Sequence, residues 1–406
     1  MRVALANDYL IQAGGAERVV AALHRIFPEA PIFTTIADRE LTDAMFPGAE
    51  IHTSWMQRLP GLKRHFRKYV LLYPSAIESL DLSGYDLVIS SSSAFTKGLI
   101  IPPGTVHICY CHTPMRFAWN AEAYAEREEW GPVVRWLLPV VMGRLRRWDL
   151  ATASRPTVYL GNSTTSAARI TRTYHLPAQV VFPPVETDRL RPAGEPGEHF
   201  LVVSRLVGYK RIDLAVEAFT RMARPLVVVG DGPARATLER IAGPTVRFLG
   251  RLPDAEVARH YAACRGVIFP GEEDFGLVPL EANASGRPVV AYQAGGALDT
   301  VVNGQTGVFF PVQSVEALCQ AVRECESTVW RPALLRRHAE GFRESVFRDR
   351  ILEVVRSVMG DRAGAPALQP LPASGRCGSG TDFDDQGTVR HGELESIPLR
   401  LANRIG

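Results

Sequence analysis

The 406-residue sequence has no apolar run approaching the ~20 residues that a membrane-spanning helix requires. It also shows no secretory leader, since the strand-like Arg2-Val-Ala-Leu5 begins at once. Its six cysteines lack the regular spacing of a disulfide framework and point to a reducing compartment. Cys109 and Cys111 precede His112, but no second ligand cluster follows, so packing in a strand explains them better than a metal. A net charge of +3 gives no reason to invoke nucleic acid. There is no G-x-G-x-x-G fingerprint. These absences leave a cytoplasmic globular chain, long enough for two domains.

The most informative stretch runs from Gly271 to Gly286. The apolar Gly266-Val-Ile-Phe269 reads as a buried strand, closed by Pro270 and Gly271. A helix follows with Pro279 in its first turn, stopped by Gly286 and Pro288 before the next strand, Val289-Val290. Glu273 in the loop and Glu281 on the helix have seven residues between them. A helix N-terminus attracts an anion through its unpaired N–H groups and dipole. Carboxylates are poor phosphate ligands but good acceptors for sugar and ribose hydroxyls. Together these features suggest a nucleotide-sugar site; simple dipole complementation by acidic residues is the plainer alternative.

From the start of the chain, residues 2–7 predict a strand and Ala16–Ile26 a helix with Val19, Val20, Leu23 and Ile26 on one face. Gly14-Gly15 between them suits either close approach to a diphosphate or an ordinary turn. Residues 31–34, 85–89, 106–109 and 158–160 predict further strands. His112 lies just past one of them, where open α/β sheets place ligands. Between Trp55 and Pro74, Arg58, Lys63, Arg64, Arg67 and Lys68 alternate with apolar and aromatic residues. As a helix this stretch would have a basic and an apolar face, fitting either a membrane surface or an ordinary amphipathic helix. An apolar run at 133–148, edged with arginines, reads as core or as more basic surface.

The second half alternates more regularly. Strands are expected at 199–203, 226–229, 246–249, 266–269, 289–290 and 307–310, with helices at 210–222 and 254–264. Such alternation predicts a parallel sheet covered on both faces. Two such halves, joined near Pro183-Pro184, enclose a cleft where ligands sit. The expected limits are 1–183, 184–345 and a crossing-back helix at 346–362. Residues 363–406, rich in Gly, Pro, Ser and charge, read as a disordered tail.

Gly14-Gly15-Ala16-Glu17, Val203-Ser-Arg-Leu206 leading to Lys210, Val229-Gly-Asp-Gly-Pro233, Phe248-Leu-Gly250 and the Glu273…Glu281 pair occur in this order. In them the chain resembles the retaining glycosyltransferases of family 4 over about residues 1–360. The resemblance implies the GT-B architecture: two Rossmann-like, doubly wound α/β domains facing a cleft. It implies that Arg205 and Lys210 hold the donor diphosphate and stabilise the departing nucleotide, with Gly14 and Gly15 approaching it. Glu273 would bind donor-sugar hydroxyls, Phe275 and Gly276 would offer backbone donors, and Glu281 would accept from the ribose. His112 corresponds to an acceptor-domain histidine near the reacting sugar. No metal and no other cofactor is expected. Front-face displacement, in which the leaving phosphate helps deprotonate the acceptor, makes Glu273 no glycosidase-type nucleophile.

Cys111-His-Thr-Pro-Met-Arg-Phe-Ala-Trp119 and Glu272-Glu-Asp-Phe-Gly276 are similar to the O-antigen mannosyltransferase branch. That similarity implies GDP-mannose as donor and a lipid-linked glycan as acceptor, with contact at the inner membrane surface. Asp299 stands where a glutamate is common. A UDP-hexose-dependent transferase, a nucleotide-sugar 2-epimerase and an inactive sugar-binding module remain as alternatives.

Overall fold

The structure is a computed structural model that describes residues 1–119 and 132–360, the side chains of 63, 64 and 132–137 excepted. The expected tail at 363–406 lies outside the described residues. Short apolar segments separated by helices build two sheets, and every pairing between named strands is parallel. The first sheet comprises β1 (Val3–Asn7), β2 (Ile32–Thr34), β3 (Ile51–Thr53), β4 (Leu87–Ser92), β5 (Val106–Cys111), β6 (Val158–Gly161) and β7 (Ala178–Val180). Its spatial order is β3-β2-β1-β4-β5-β6-β7. The second comprises β8 (Phe200–Val203), β9 (Leu226–Val229), β10 (Val246–Gly250), β11 (Gly266–Phe269), β12 (Val289–Tyr292) and β13 (Gly307–Phe310), ordered β10-β9-β8-β11-β12-β13. Both sheets therefore reverse direction of winding once, between β1 and β4 and between β8 and β11. This is the doubly wound Rossmann order, and ligands bind where the winding reverses.

The central strands are buried along nearly their whole length because helices cover both faces. In the first domain, Gly15–Ile26 packs Val19, Val20 and Leu23 into a core with Leu5, Ile32 and Ile89. In the second, Ile212–Met222 buries Leu214, Ala215, Val216 and Phe219 against Phe200, Val202 and Val228. The expected helix at 210–222 starts two residues later, since Gly208–Lys210 forms a 3-10 turn and Arg211 is left-handed at φ 52°. The terminal helix Glu344–Met359 returns to the first domain, where Phe347, Ile351, Leu352, Val354 and Val355 join the core of the first sheet.

Residues 55–74 do not form the single two-faced helix that their pattern suggested. They break into Trp55–Arg58, Leu62–His65 and Phe66–Tyr69, followed by Tyr73–Glu78. Pro60 and the left-handed Gly61 (φ 61°) interrupt the helix after its first turn. Met56 and Leu62 are buried, and Leu59, Phe66, Tyr69 and Val70 pack against the same core cluster. Most of the apolar residues in this stretch are therefore structural.

Loop chemistry closes the reversal point of the first sheet. Asp8, directly after β1, is buried. Its carboxylate accepts from the backbone N–H groups of Ser93, Ala94, Phe95 and Thr96 at 2.7–2.8 Å, and from Thr96 Oγ1 at 2.9 Å. Burial raises its pKa, and the donors from Ser93, Phe95 and Thr96 offset that rise only in part. Deeper in the same domain, Lys97 and Asp149 pair at 3.1 Å with both side chains buried. Lys97 Nζ also donates to the Asp149 carbonyl at 2.7 Å, and Asp149 accepts from Trp119 Nε1 at 2.7 Å. A buried pair needs such extra partners to offset its desolvation.

Candidate active site

The loops that leave the C-terminal ends of β8 and β11 carry the second domain's candidate site residues. Arg205 and Lys210 lie after β8, and Gly271 to Gly276 lie after β11. Lys210 Nζ forms an ion pair with Glu273 across the reversal point, and both side chains are largely enclosed. The close approach depends on Gly271. A Cβ there would lie 2.8 Å from the Cα and carbonyl oxygen of Lys210. Arg205 is exposed and faces solvent from the turn after β8.

Gly276 adopts φ 83° and caps the helix Leu277–Ala284 without a side-chain contact. Phe275 is buried, and its ring packs 5.7 Å from Phe182 and 6.1 Å from Phe342. Its side chain thus anchors the loop at the junction between the domains. The Glu273 carbonyl accepts from Gly296 N–H at 2.8 Å, so the turn after β12 supports the acidic loop from behind.

Glu281 sits on the helix that follows. Tyr261 donates its hydroxyl to Oε2 at 2.7 Å, and Arg18 of the first domain lies 3.4 Å from Oε1. Arg18 also lies 3.8 Å from Asp254. Glu273 and Glu281 therefore face different cations: Lys210 within the second domain, and Arg18 across the cleft.

On the opposite wall, Gly15 begins the helix Gly15–Ile26 and approaches the second domain. A Cβ on it would touch Leu277 Cδ1 at 4.0 Å. Gly14 N–H is already engaged, donating to Glu17 Oε2 at 2.9 Å. The remaining N–H groups of that first turn are the donors suited to an anion. Burial pushes the Glu17 carboxyl up to about 7, and nearby Asp8 adds to the rise.

His112 lies at the end of β5, with Nε2 2.9 Å from Ser91 Oγ, while its carbonyl accepts from Ser166 Oγ at 2.7 Å. Desolvation lowers its pKa to about 4, although Asp274 acts in the opposite sense. The imidazole is therefore neutral at pH 7. It can donate or accept a hydrogen bond but adds no fixed positive charge.

Sequence reasoning gave no role to several residues that the structure brings to this cleft. Arg116 and Arg169 of the first domain both pair with Asp274, and Arg169 also reaches Glu272 at 2.7 Å. Asp299, set aside in the sequence as shorter than a glutamate, accepts from Thr164 N–H at 2.9 Å and Thr164 Oγ1 at 2.7 Å. It caps the opposing helix Thr164–Tyr174 across the cleft. Arg116 and Asp274 lie within stretches already singled out, but nothing in their spacing showed that they meet.

Residues 197–327 match the family described as Glycosyl transferases group 1, so this part of the second domain is a group 1 glycosyl transferase domain. The GDP-mannose-dependent alpha-(1-6)-phosphatidylinositol monomannoside mannosyltransferase of Mycolicibacterium smegmatis is 34% identical over 178 residues, covering 36% of this chain and 45% of that protein. The GDP-mannose-dependent alpha-mannosyltransferase of Mycobacterium tuberculosis is 40% identical over 129 residues, covering 32% and 33%. This chain spans less than half the length of these curated relatives. Among solved structures, Anabaena HepE in complex with UDP aligns with TM-score 0.64 at 18% identity, covering 88% of this chain and all of that one. Sucrose-phosphate synthase from Thermosynechococcus elongatus aligns with TM-score 0.67 at 18% identity, covering 88% and 99%. The fold is GT-B.

Proposed function

We propose that this chain is a retaining family 4 glycosyltransferase that moves mannose from GDP-mannose to a lipid-linked glycan in cell-surface polysaccharide synthesis. The observation that carries this reading is the Lys210–Glu273 pair across the reversal point of a group 1 domain. It has Glu281 with seven residues between it and Glu273, and Gly14-Gly15 on the facing wall. Mannose as the donor sugar is supported by the GDP-mannose-dependent relatives of the matching segment.

In this reading the diphosphate lies between the first turn of Gly15–Ile26 and the Arg205–Lys210 loop. Negative charge grows on it as the glycosidic bond breaks, so fixed cations there act most strongly in the transition state. Lys210 exchanges part of its contact with Glu273 for a phosphate oxygen, which frees Glu273 to accept from sugar hydroxyls. Glu281, already oriented by Tyr261, accepts from the ribose. Backbone donors at Phe275 and Gly276 complete the donor pocket. His112, held neutral by burial, hydrogen-bonds near the sugar. Arg205 and Lys210 supply the positive charge, so the proposed reaction needs no metal and continues in the presence of a chelator.

The acceptor's lipid would lie at a membrane surface. No helix among the described residues is long and apolar enough to cross a membrane. Trp55 and Leu71 are exposed, as are Arg58, Arg67 and Lys68 of the same stretch, a combination that favours peripheral contact with anionic lipid. Peripheral attachment on the cytoplasmic face is the location that this reading requires.

Thermal shift with GDP, UDP and ADP tests the donor directly. A nucleotide at a hundredfold its Kd stabilises the protein by roughly 2.7 kcal/mol. Selective stabilisation by GDP supports the mannosyl reading. Selective stabilisation by UDP keeps the transferase and discards mannose. The absence of any shift removes the nucleotide-sugar site.

A further inference from the structure

Three successive carboxylates in the loop after β11 hold different partners. Glu273 pairs with Lys210 of its own domain. The residues on either side of it reach across the cleft. Glu272 accepts from Arg169 Nη2 at 2.7 Å, and Asp274 receives Arg116 and Arg169 on the same oxygen, Oδ1. Arg169 stands on the helix Thr164–Tyr174 and Arg116 on the short helix Arg116–Trp119. The Arg116 guanidinium also lies 5.9 Å from the Tyr209 ring centroid, beside Lys210. The first domain thus grips the loop on both sides of Glu273.

We propose that Arg116, Arg169, Glu272 and Asp274 form a positioning clamp that sets Glu273 for the donor sugar only when the first domain has closed on the second. The proposal rests on the reading of Glu273 as a donor-sugar ligand and assigns these four residues no contact with substrate. The loop backbone is held by Gly296 at the Glu273 carbonyl and by the Phe275 ring between Phe182 and Phe342, which leaves the carboxylate side chains to be restrained from across the cleft. Two guanidinium groups converging on one carboxylate oxygen supply the missing restraint. Their mutual repulsion makes that restraint depend on Asp274 being present between them. Closure of the domains and orientation of Glu273 then become one event, a usual way of assembling a site only around bound substrate.

The test uses the full chain with Asp274→Asn, Arg169→Met, their double variant, and Arg169→Lys as the conservative control. Three quantities are measured: the radius of gyration of the free protein by small-angle scattering, the Kd for nucleotide by calorimetry, and kcat with donor and acceptor. The expected result is a larger radius of gyration in Asp274→Asn and Arg169→Met. Alongside it, kcat falls by about 10- to 100-fold, as a small misplacement of a positioned group can cause, while nucleotide Kd changes by less than about threefold. The double variant loses no more than the worse single, because the residues act as one unit. Arg169→Lys, which keeps the charge, recovers part of kcat.

Unchanged scattering together with unchanged kcat in Asp274→Asn overturns the clamp. So does a fall in kcat matched by an equal loss of nucleotide affinity, since the loop would then be part of the nucleotide pocket itself. Failure of the wild-type protein to bind any nucleotide overturns the donor-site reading instead. Scattering by the same variants then decides separately whether the arginines hold the domains together.

Discussion

Tyr261 donates its hydroxyl to Glu281 at 2.7 Å, from a ring buried beneath the helix that carries the carboxylate. The contact fixes one oxygen of Glu281 and leaves the other toward Arg18 and the cleft. Tyr261→Phe removes the donor without changing the shape of the ring. The expected cost is about 1.5–3 kcal/mol of stability, the range for a hydrogen bond to a charged group. A rise in donor KM larger than any fall in kcat should accompany it. Chemical denaturation and steady-state kinetics check the two parts separately.

Lys210 and Glu273 neutralise one another in the free protein. Lys210→Ala and Glu273→Ala should each reduce transfer by about 100-fold or more, the scale of losing one electrostatic stabiliser in a water-poor site. Circular dichroism should show the fold retained in both. Full activity in both variants would remove them from the site.

Glu17 makes the pH dependence of stability testable. Its ordinary value of 4.5 is pushed up to about 7 by burial, so the folded state binds its proton more tightly than the unfolded state does. Its contribution is fully present below pH 4.5 and is lost as pH rises through about 7. Glu17→Gln keeps an oxygen for the Gly14 N–H but cannot ionise. Relative to wild type, the variant should gain stability between pH 4.5 and 7, by at most about 1.4 kcal/mol per pH unit. The histidines act with the opposite sign. His107 and His112 are lowered to about 3 and about 4, so their contribution is present above pH 6.5 and is lost as pH falls toward those values. Denaturant midpoints of wild type and variant at matched pH separate the two effects.

Gly296 supports the acidic loop through close backbone contact. A Cβ there would lie 2.1 Å from the Phe275 carbonyl oxygen, a distance no side chain tolerates. Gly296→Ala should displace the loop, break the 2.8 Å bond from Gly296 N–H to the Glu273 carbonyl, and lower kcat together with the melting temperature. Loss of kcat without a change in melting would show that the loop moved with no strain.

The central strands were legible in the sequence because strands covered on both faces read as continuous apolar runs, as in Leu226-Val-Val-Val229. The edge strands of the first sheet were not. β3 (Ile51-His-Thr53) and β7 (Ala178-Gln-Val180) are three residues each and partly exposed, so they carry no such run. The stretch at 55–74 misled because charged residues between apolar ones mimic a two-faced helix, while Pro60 and Gly61 break it and its apolar side chains enter the core. Glu273 and Glu281 could be found by their fixed spacing on one loop and helix. Arg116 and Arg169 could not, since their contacts with Asp274 join residues 158 and 105 positions apart. Only the fold brings them together.

The polypeptide passes between the domains twice, once near Val185 and again near Phe342, and the two passages are fastened together. Val185 N–H donates to the Phe342 carbonyl at 2.9 Å, and the Phe342 ring meets the stacked pair Phe182 and Phe275 at a tilt. Two separate threads would let one half slide over the other. A single stitched seam behaves like the spine of a book. The covers can swing apart at the far margin while the text nearest the binding stays in register. Phe275 belongs to that binding and lies two residues from Glu273. Any swing about that spine parts Arg116 and Arg169 from Asp274, next in sequence to Phe275, so the spine and the hold on Glu273 open together.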